Sequence, residues 1–213
     1  MTTSLVSARW IVTGIEDNGE PVVIPNAALA HDNGRVVAVG PADQIRTTYE
    51  GAAETSYGAH MMLPGFVNSH HHVGLTPLQL GSPDYALELW FAGRLSARDI
   101  DPYLDTLYSA FEMIESGITT VQHIHGWMKG PYPNVHSAAS EVLRAYKDMG
   151  MRTSYCFAVR EQNHFVYESN EEFCNRLPPD VATVLAAHLK AQEMPFNEFM
   201  TLFDELTEAN TSP

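Results

Sequence analysis

Cysteine, basic residues and long apolar runs are all scarce in this sequence. Two cysteines, Cys156 and Cys174, occur among 213 residues. Their spacing is not that of a metal knuckle, so no disulfide framework is expected and the cytoplasm is the default compartment. Lys and Arg number 12 against 26 Asp and Glu, a net charge of −14. That balance argues against a nucleic-acid backbone or an anionic membrane as the main partner. No apolar run approaches the ~20 residues needed to span a bilayer. The opening residues, Met1-Thr2-Thr3-Ser4-Leu5, lack the basic start and apolar block of a secretory leader, and none is expected. What is plentiful is ordinary core material. A hydrophobic content of 45% with 18% charged residues fits one medium globular domain or two small ones.

One stretch stands apart: Met62-Leu63-Pro64-Gly65-Phe66-Val67-Asn68-Ser69-His70-His71-His72-Val73-Gly74. A Pro-Gly turn leads into a short apolar pair and then three consecutive histidines. In a strand over residues 66–72, side chains alternate between faces, so His70 and His72 share one face and His71 points the other way. Two imidazoles two residues apart on one face make a chelating pair for a divalent metal of the zinc type. A solvated histidine cluster is the alternative on spacing alone. A purification tag belongs at a terminus, not inside an apolar strand.

The first sixty residues read as short strands. Leu5 to Val12 is rich in β-branched and aromatic residues, Asp17-Asn18-Gly19 marks a turn, and Pro21 to Ile24 follows. Ala27 to His31 and Arg35 to Gly40 flank Asp32-Asn33-Gly34, and Asn-Gly is a strong hairpin signal because both positions tolerate positive φ. Pro41 to Arg46 suits one short helical turn. Sixty residues bury little surface by themselves, so this sheet is expected to be completed elsewhere.

From residue 61 the pattern changes to alternating strands and helices. Asp101-Pro102 opens a helix as N-cap and first position. Leu104, Leu107, Tyr108, Phe111 and Ile114 repeat at helical spacing, and Gly117 closes it. Ile118 to His125 reads as a β-branched strand. A second helix carries Val135, Ala138, Ala139, Val142, Tyr146 and Met149 on one face, with Gly150 as its stop, and Met151 to Arg160 reads as a third strand. Helices over Asp180 to Glu193 and from Pro195 to about Glu208 end the pattern. Strand–helix alternation implies βαβ units and a parallel sheet. Three strands are too few for a (β/α)₈ barrel, which takes about 250 residues.

These features, in this order, resemble the amidohydrolase superfamily, in particular its cytosine-deaminase, triazine-chlorohydrolase and S-adenosylhomocysteine-deaminase-like branch. Asn33-Gly34-Arg35-Val36-Val37-Ala38-Val39-Gly40 is similar to the hairpin of the family's N-terminal β unit. Pro64 to His72 resembles its PGFVNxHxH barrel strand 1, and Glu112 to Val121 its passage through SGITT into strand 2. Gly150-Met151-Arg152 resembles the entry to strand 3. The combination of PGFVNSHHH with SGITTV is far more specific than a lone HxH.

The resemblance implies an α/β fold: a partial (β/α)₈ TIM-type barrel, its first three strands, preceded by part of a small β-sandwich. Residues 1–60 would be the N-terminal strands of a composite sandwich and residues 61–213 the N-terminal part of a metal-dependent hydrolase barrel. It implies Zn²⁺ or Fe²⁺ held by His70 and His72, and water activated by that metal to displace ammonia, an amine or chloride from an electron-poor carbon of an N-heterocyclic small molecule. The later histidines, the general acid/base Glu and the strand-8 Asp would lie beyond residue 213, so the catalytic residues are expected outside this chain. Substrate-contact candidates are Trp90, His123, His125, Arg160 and Gln162, with Asn163 beside them. For His123 and His125 three readings stay open: a second metal pair, substrate-facing or supporting contacts, or a histidine hydrogen-bonded at the strand end. The family often has Asp where this chain has His123. Between Trp90 and Asp101 no counterpart is found for the Glu that holds a ribose in nucleoside deaminases of this branch, which favours a smaller ring. Partners implied are a small-molecule substrate, the remaining half of the barrel in the same or another chain, and a homo-oligomer when complete, with no nucleic acid or membrane. The rival reading is a non-catalytic half-barrel subunit or an inactive truncation.

Overall fold

A computed structural model describes residues 3–76, 81, 83–126, 130–159 and 166–210. The chain divides into two compact units, Met1–Gly65 and Phe66–Pro213; residue 60, the boundary expected from sequence, falls inside a strand. The architecture is mixed α/β, with one largely antiparallel sheet and one parallel sheet.

In the first unit the strands are β1 (Ser4–Ile15), β2 (Pro21–Asp32), β3 (Arg35–Pro41) and β4 (Ala53–Met62), in the order β3-β2-β1-β4. The two separate strands expected over residues 21–31 are one continuous strand. Asn33 and Gly34 have φ of 48° and 74°, and Asp32 pairs with Arg35 across them. That is the two-residue hairpin with positive φ at both central positions that Asn-Gly favours. Helix α1 (Ala42–Thr48) extends the single turn expected there, and its Ala42 and Ile45 pack with Leu5, Ala28 and Ala30. β4 carries no alternation in its sequence and is exposed along nearly its whole length. It is held by parallel pairing to β1 and by Glu54. That carboxylate takes two bonds from Arg46, 2.9 and 2.8 Å, and one from Ser7, 2.5 Å. These bonds hold its pKa down at about 2.

The second unit is built on β5 (Phe66–His71), β6 (Ile118–His125) and β7 (Arg152–Phe157), all parallel, in the order β5-β6-β7. Between β5 and β6 run α2 (Leu87–Ser96) and α3 (Pro102–Glu115), and between β6 and β7 runs α4 (Tyr132–Asp148). α5 (Asn170–Asn175), α6 (Pro179–Lys190) and α7 (Phe196–Asn210) follow. α3 begins as its sequence requires, with the Asp101 side chain accepting the Leu104 N–H at 3.0 Å and Pro102 at the first position. Gly117, φ 80°, ends it. The helix side of the sheet holds the core: Ala110 and Met113 of α3, Val121 of β6, and Val142 and Tyr146 of α4. α7 covers α4 through Leu202 and Leu206 against Val135 and Ala139.

One expectation fails here. The apolar stripe of α3 is exposed at Leu104, Tyr108, Phe111 and Ile114 and half-buried at Leu107. Its buried residues are Asp105, Thr106, Ser109, Ala110 and Met113. Ala110 and Met113 supply the apolar contact, and the Thr106 hydroxyl bonds back to the Pro102 carbonyl at 2.7 Å.

Candidate metal centre

The histidine strand is not a plain alternating ribbon. Asn68 pairs with Val121 and His71 with His123, so three steps along β5 match two along β6. The extra residue is a β-bulge. Before it, Asn68 faces the helix side, where its amide reaches Met113 Sδ at 3.7 Å. After it, His71 takes that side, and His70 and His72 turn to the opposite, open face. A simple alternation over 66–72 would have put Asn68 with the two histidines; the bulge removes it.

His70 Nε2 and His72 Nε2 lie 3.1 Å apart, with the rings edge to face at 4.9 Å. His72 Nδ1 is 2.8 Å from the Ile124 carbonyl oxygen on β6. A carbonyl only accepts, so the proton sits on Nδ1 and the neutral ring presents its Nε2 lone pair toward His70. This is the outer contact by which a metal-ligating imidazole is usually oriented. The donor spacing also suits an ion: two Zn–N bonds of about 2.0–2.1 Å at a near-tetrahedral angle place the nitrogens about 3.3 Å apart. The residues present therefore fit one edge of a tetrahedral site. Among the described residues no group of three or more His, Cys, Asp or Glu could hold a metal ion.

His123 and His125 are placed elsewhere. Alternation along β6 puts Val121, His123 and His125 on the helix side and Gln122 and Ile124 on the open face. His123 is fully buried, its Nδ1 hydrogen-bonded to the Tyr146 hydroxyl at 3.0 Å and its ring stacked on Tyr155 at 5.4 Å. Burial holds its pKa down at about 2. His125 Nδ1 bonds the Tyr155 hydroxyl at 2.6 Å, and burial lowers its pKa to about 4. His71 meets His123 ring to ring at 6.1 Å, and burial lowers its pKa too. These histidines form a layer with Tyr146 and Tyr155, in which His123 and Tyr146 are buried and the others half-buried, not a face shared with His70 and His72. A cavity of about 270 Å³ lies against His125, Gly74, Arg94, Asp105 and Val142, with neither His70 nor His72 in its wall. Trp90 is half-buried in the first turn of α2. Arg160, Gln162 and Asn163 lie outside the described residues.

Two open-face residues escaped the sequence reading. Gln122 and Cys156 sit on adjacent strands on the same face as the histidine pair, joined Nε2 to Sγ at 3.4 Å. The parallel register that brings them together, Gln122 opposite Ser154 and Ile124 opposite Cys156, gives the only signal, and it is invisible until the strands are paired.

No family model matches the chain. Curated relatives do. A 5-methylthioadenosine/S-adenosylhomocysteine deaminase of Symbiobacterium thermophilum is 29% identical over 141 residues, covering 63% of this chain and 29% of the relative. A 5′-deoxyadenosine deaminase of Methanosarcina barkeri is 25% identical over 169 residues, covering 76% of this chain and 34% of the relative. Over the part that it spans, the chain is similar in sequence to these deaminases. Amidohydrolase structures share its fold. The zinc complex of atrazine chlorohydrolase TrzN from Arthrobacter aurescens aligns with a TM-score of 0.60 at 17% identity, covering 80% of this chain and 41% of that one. Guanine deaminase from E. coli aligns at 0.58 and 13% identity, covering 99% and 51%. The chain thus spans about a third of the curated relatives it matches and about half or less of these solved structures.

Proposed function

We propose that this chain is the N-terminal, ligand-bearing part of a metal-dependent hydrolase that cleaves carbon–nitrogen bonds other than peptides, of the deaminase or chlorohydrolase type, on an N-heterocyclic small molecule. The observation that carries the reading is the paired Nε2 donors of His70 and His72, 3.1 Å apart, with one tautomer set by the Ile124 carbonyl. In this reading β5, β6 and β7 are the first three strands of a (β/α)₈ barrel, and β1 to β4 are part of a composite β-sandwich. The remaining barrel strands, in the same or another chain, complete the ligand set and bring the general acid/base.

When bound, a divalent metal such as Zn²⁺ or Fe²⁺ supplies a water acidic enough to be a nucleophile near neutral pH. The residues of this chain orient and shape the site. His72 keeps its Nε2 lone pair available because Nδ1 is committed to Ile124. Gln122 offers an amide on the same face to a ring nitrogen or an exocyclic amine. The sequence alone favours a ring without a ribose, whereas the curated relatives carry the names of nucleoside deaminases. The shared chemistry is an amino-substituted N-heterocycle. A panel of adenosine-type nucleosides, guanine, cytosine and an aminotriazine, scored for released ammonia, separates the members of that class.

The test is metal content of the complete protein. About one zinc or iron per chain is expected, and His70→Ala or His72→Ala should each remove most of it. Unchanged metal in both variants would end the ligand assignment. The rival reading, a non-catalytic half-barrel subunit, draws on the lack of a third donor among the described residues. It predicts a stable complex without hydrolase activity.

A further inference from the structure

β5 ends at His71, so the second proposed ligand, His72, lies one residue past the ladder. Strand hydrogen bonds do not fix its backbone, and the Ile124 carbonyl holds only its ring. Something else must hold the turn that follows. That segment is met by the polar residues that α3 buries in place of its apolar stripe. Asp105 is 5% exposed and Ser109 2%, and they sit one helical turn apart on one face. The Asp105 carboxylate is turned toward Gly74, its Oδ2 3.4 Å from where a Cβ on that residue would stand. Its Oδ1 has no hydrogen-bond partner, and Oδ2 is the oxygen that faces Gly74. The Ser109 hydroxyl lies 3.4 Å from that of Thr76. Both contacts fall within four residues of His72.

Gly74 is fitted to this grip. Its φ is 85°, a region that residues with a side chain rarely adopt. A Cβ there would stand 3.4 Å from Asp105 Oδ2 and 3.7 Å from Arg94 Nη2. Removing a carboxylate from water is costly, and the charge of Arg94 nearby offsets part of that cost. A carboxylate turned on a backbone N–H holds it more strongly than a neutral acceptor does, which singles out Asp105 over the hydroxyl contact beside it as the grip on the turn.

We propose that Asp105 is a positioning residue: it clamps the Gly74 turn from α3 and so fixes His72 within reach of His70. The inference rests on His70 and His72 being the metal ligands. The test is a Co²⁺ titration of the full chain, with thermal unfolding measured alongside. Asp105→Ala should weaken Co²⁺ binding about 10- to 100-fold, the range seen when an outer-shell partner is removed, and should speed amide exchange at Gly74. Asp105→Asn keeps an oxygen for the Gly74 N–H and should bind within about threefold of the parent, even where its melting temperature drops. A merely structural role would lower both melting temperatures and leave the affinity of the folded protein unchanged. Wild-type affinity in Asp105→Ala, or an equal loss in Asp105→Asn, overturns the proposal. Should Asp105→Ala not fold, Gly74→Ala disturbs the same contact with α3 intact, and wild-type affinity there overturns it as well. His70→Ala and His72→Ala run in parallel. Retained binding in both refutes the ligand pair itself, whereas lost binding in both with an unaffected Asp105→Ala refutes the clamp alone.

Discussion

His123 shows what a buried titratable ring does to this fold. It is enclosed between Tyr146, Tyr155, His71 and His125, with no carboxylate in that ring of contacts to stabilise a proton. Burial holds the pKa of His123 down at about 2 and that of His125 at about 4, against about 6.5 in an unfolded chain. Below pH 6.5 the unfolded chain therefore binds more protons than the folded one. Stability is fully present above that value and falls as pH drops toward 4. Each histidine contributes a slope of roughly 1.4 kcal/mol per pH unit through this window. Urea unfolding at pH 7.5 and at pH 5 should differ by several kcal/mol. Equal stability at the two values would show that these rings are not buried neutral. His123 was legible as a functional candidate only because HxH is a chemical pattern. Its burial depends on which face of β6 the helices cover, and a sequence does not state that.

The same limit appears at the level of elements. Helix α3 was legible in its ends, since Asp101, Pro102 and Gly117 act locally through capping, a fixed φ and a positive φ. Its buried face was not, because hydrophobic periodicity reports which side can be buried, not which side meets a partner. Leu104, Tyr108, Phe111 and Ile114 are between 42% and 59% exposed, while Met113 and Ala110 are in the core at 5% and 0%. Substituting the two faces should separate them. Phe111→Ser is expected to change the folding stability of this chain by less than about 0.5 kcal/mol, as for other exposed sites. Met113→Ala should cost about 2–5 kcal/mol through the cavity it opens. Denaturant midpoints for both variants measure the difference, and comparable losses would contradict the observed orientation. The bulge at β5 illustrates the converse. The alternation rule assigned His70 and His72 to one face correctly, yet the residues before them do not obey it, since a one-residue insertion in the ladder leaves no mark in composition.

For the whole molecule, the strand order of the second unit follows from sequence because each βα passage has its own turn and cap signals. Its surroundings do not. Parallel sheets are ordinarily covered on both faces, yet among the described residues the helices cover one. The other presents Val67, 65% exposed, with His70, Ser154 and Cys156, also exposed. Among the described residues β5 and β7 are edge strands with no further neighbour. Unpaired edges invite pairing with other chains, and exposed apolar side chains beside them add burial as a driving force. The 213-residue chain by itself is therefore expected to self-associate with rising concentration. Sedimentation velocity over a hundredfold range should show species larger than the 23.6 kDa monomer. Val67→Lys places a charge on the open face at an edge strand, and should reduce association without lowering the melting temperature. Joining the chain to the barrel strands proposed to complete it should suppress association without any substitution. A strictly monomeric chain at all concentrations would mean that the open face and both edges are tolerated in water, and the case for a completing half would lose its physical basis.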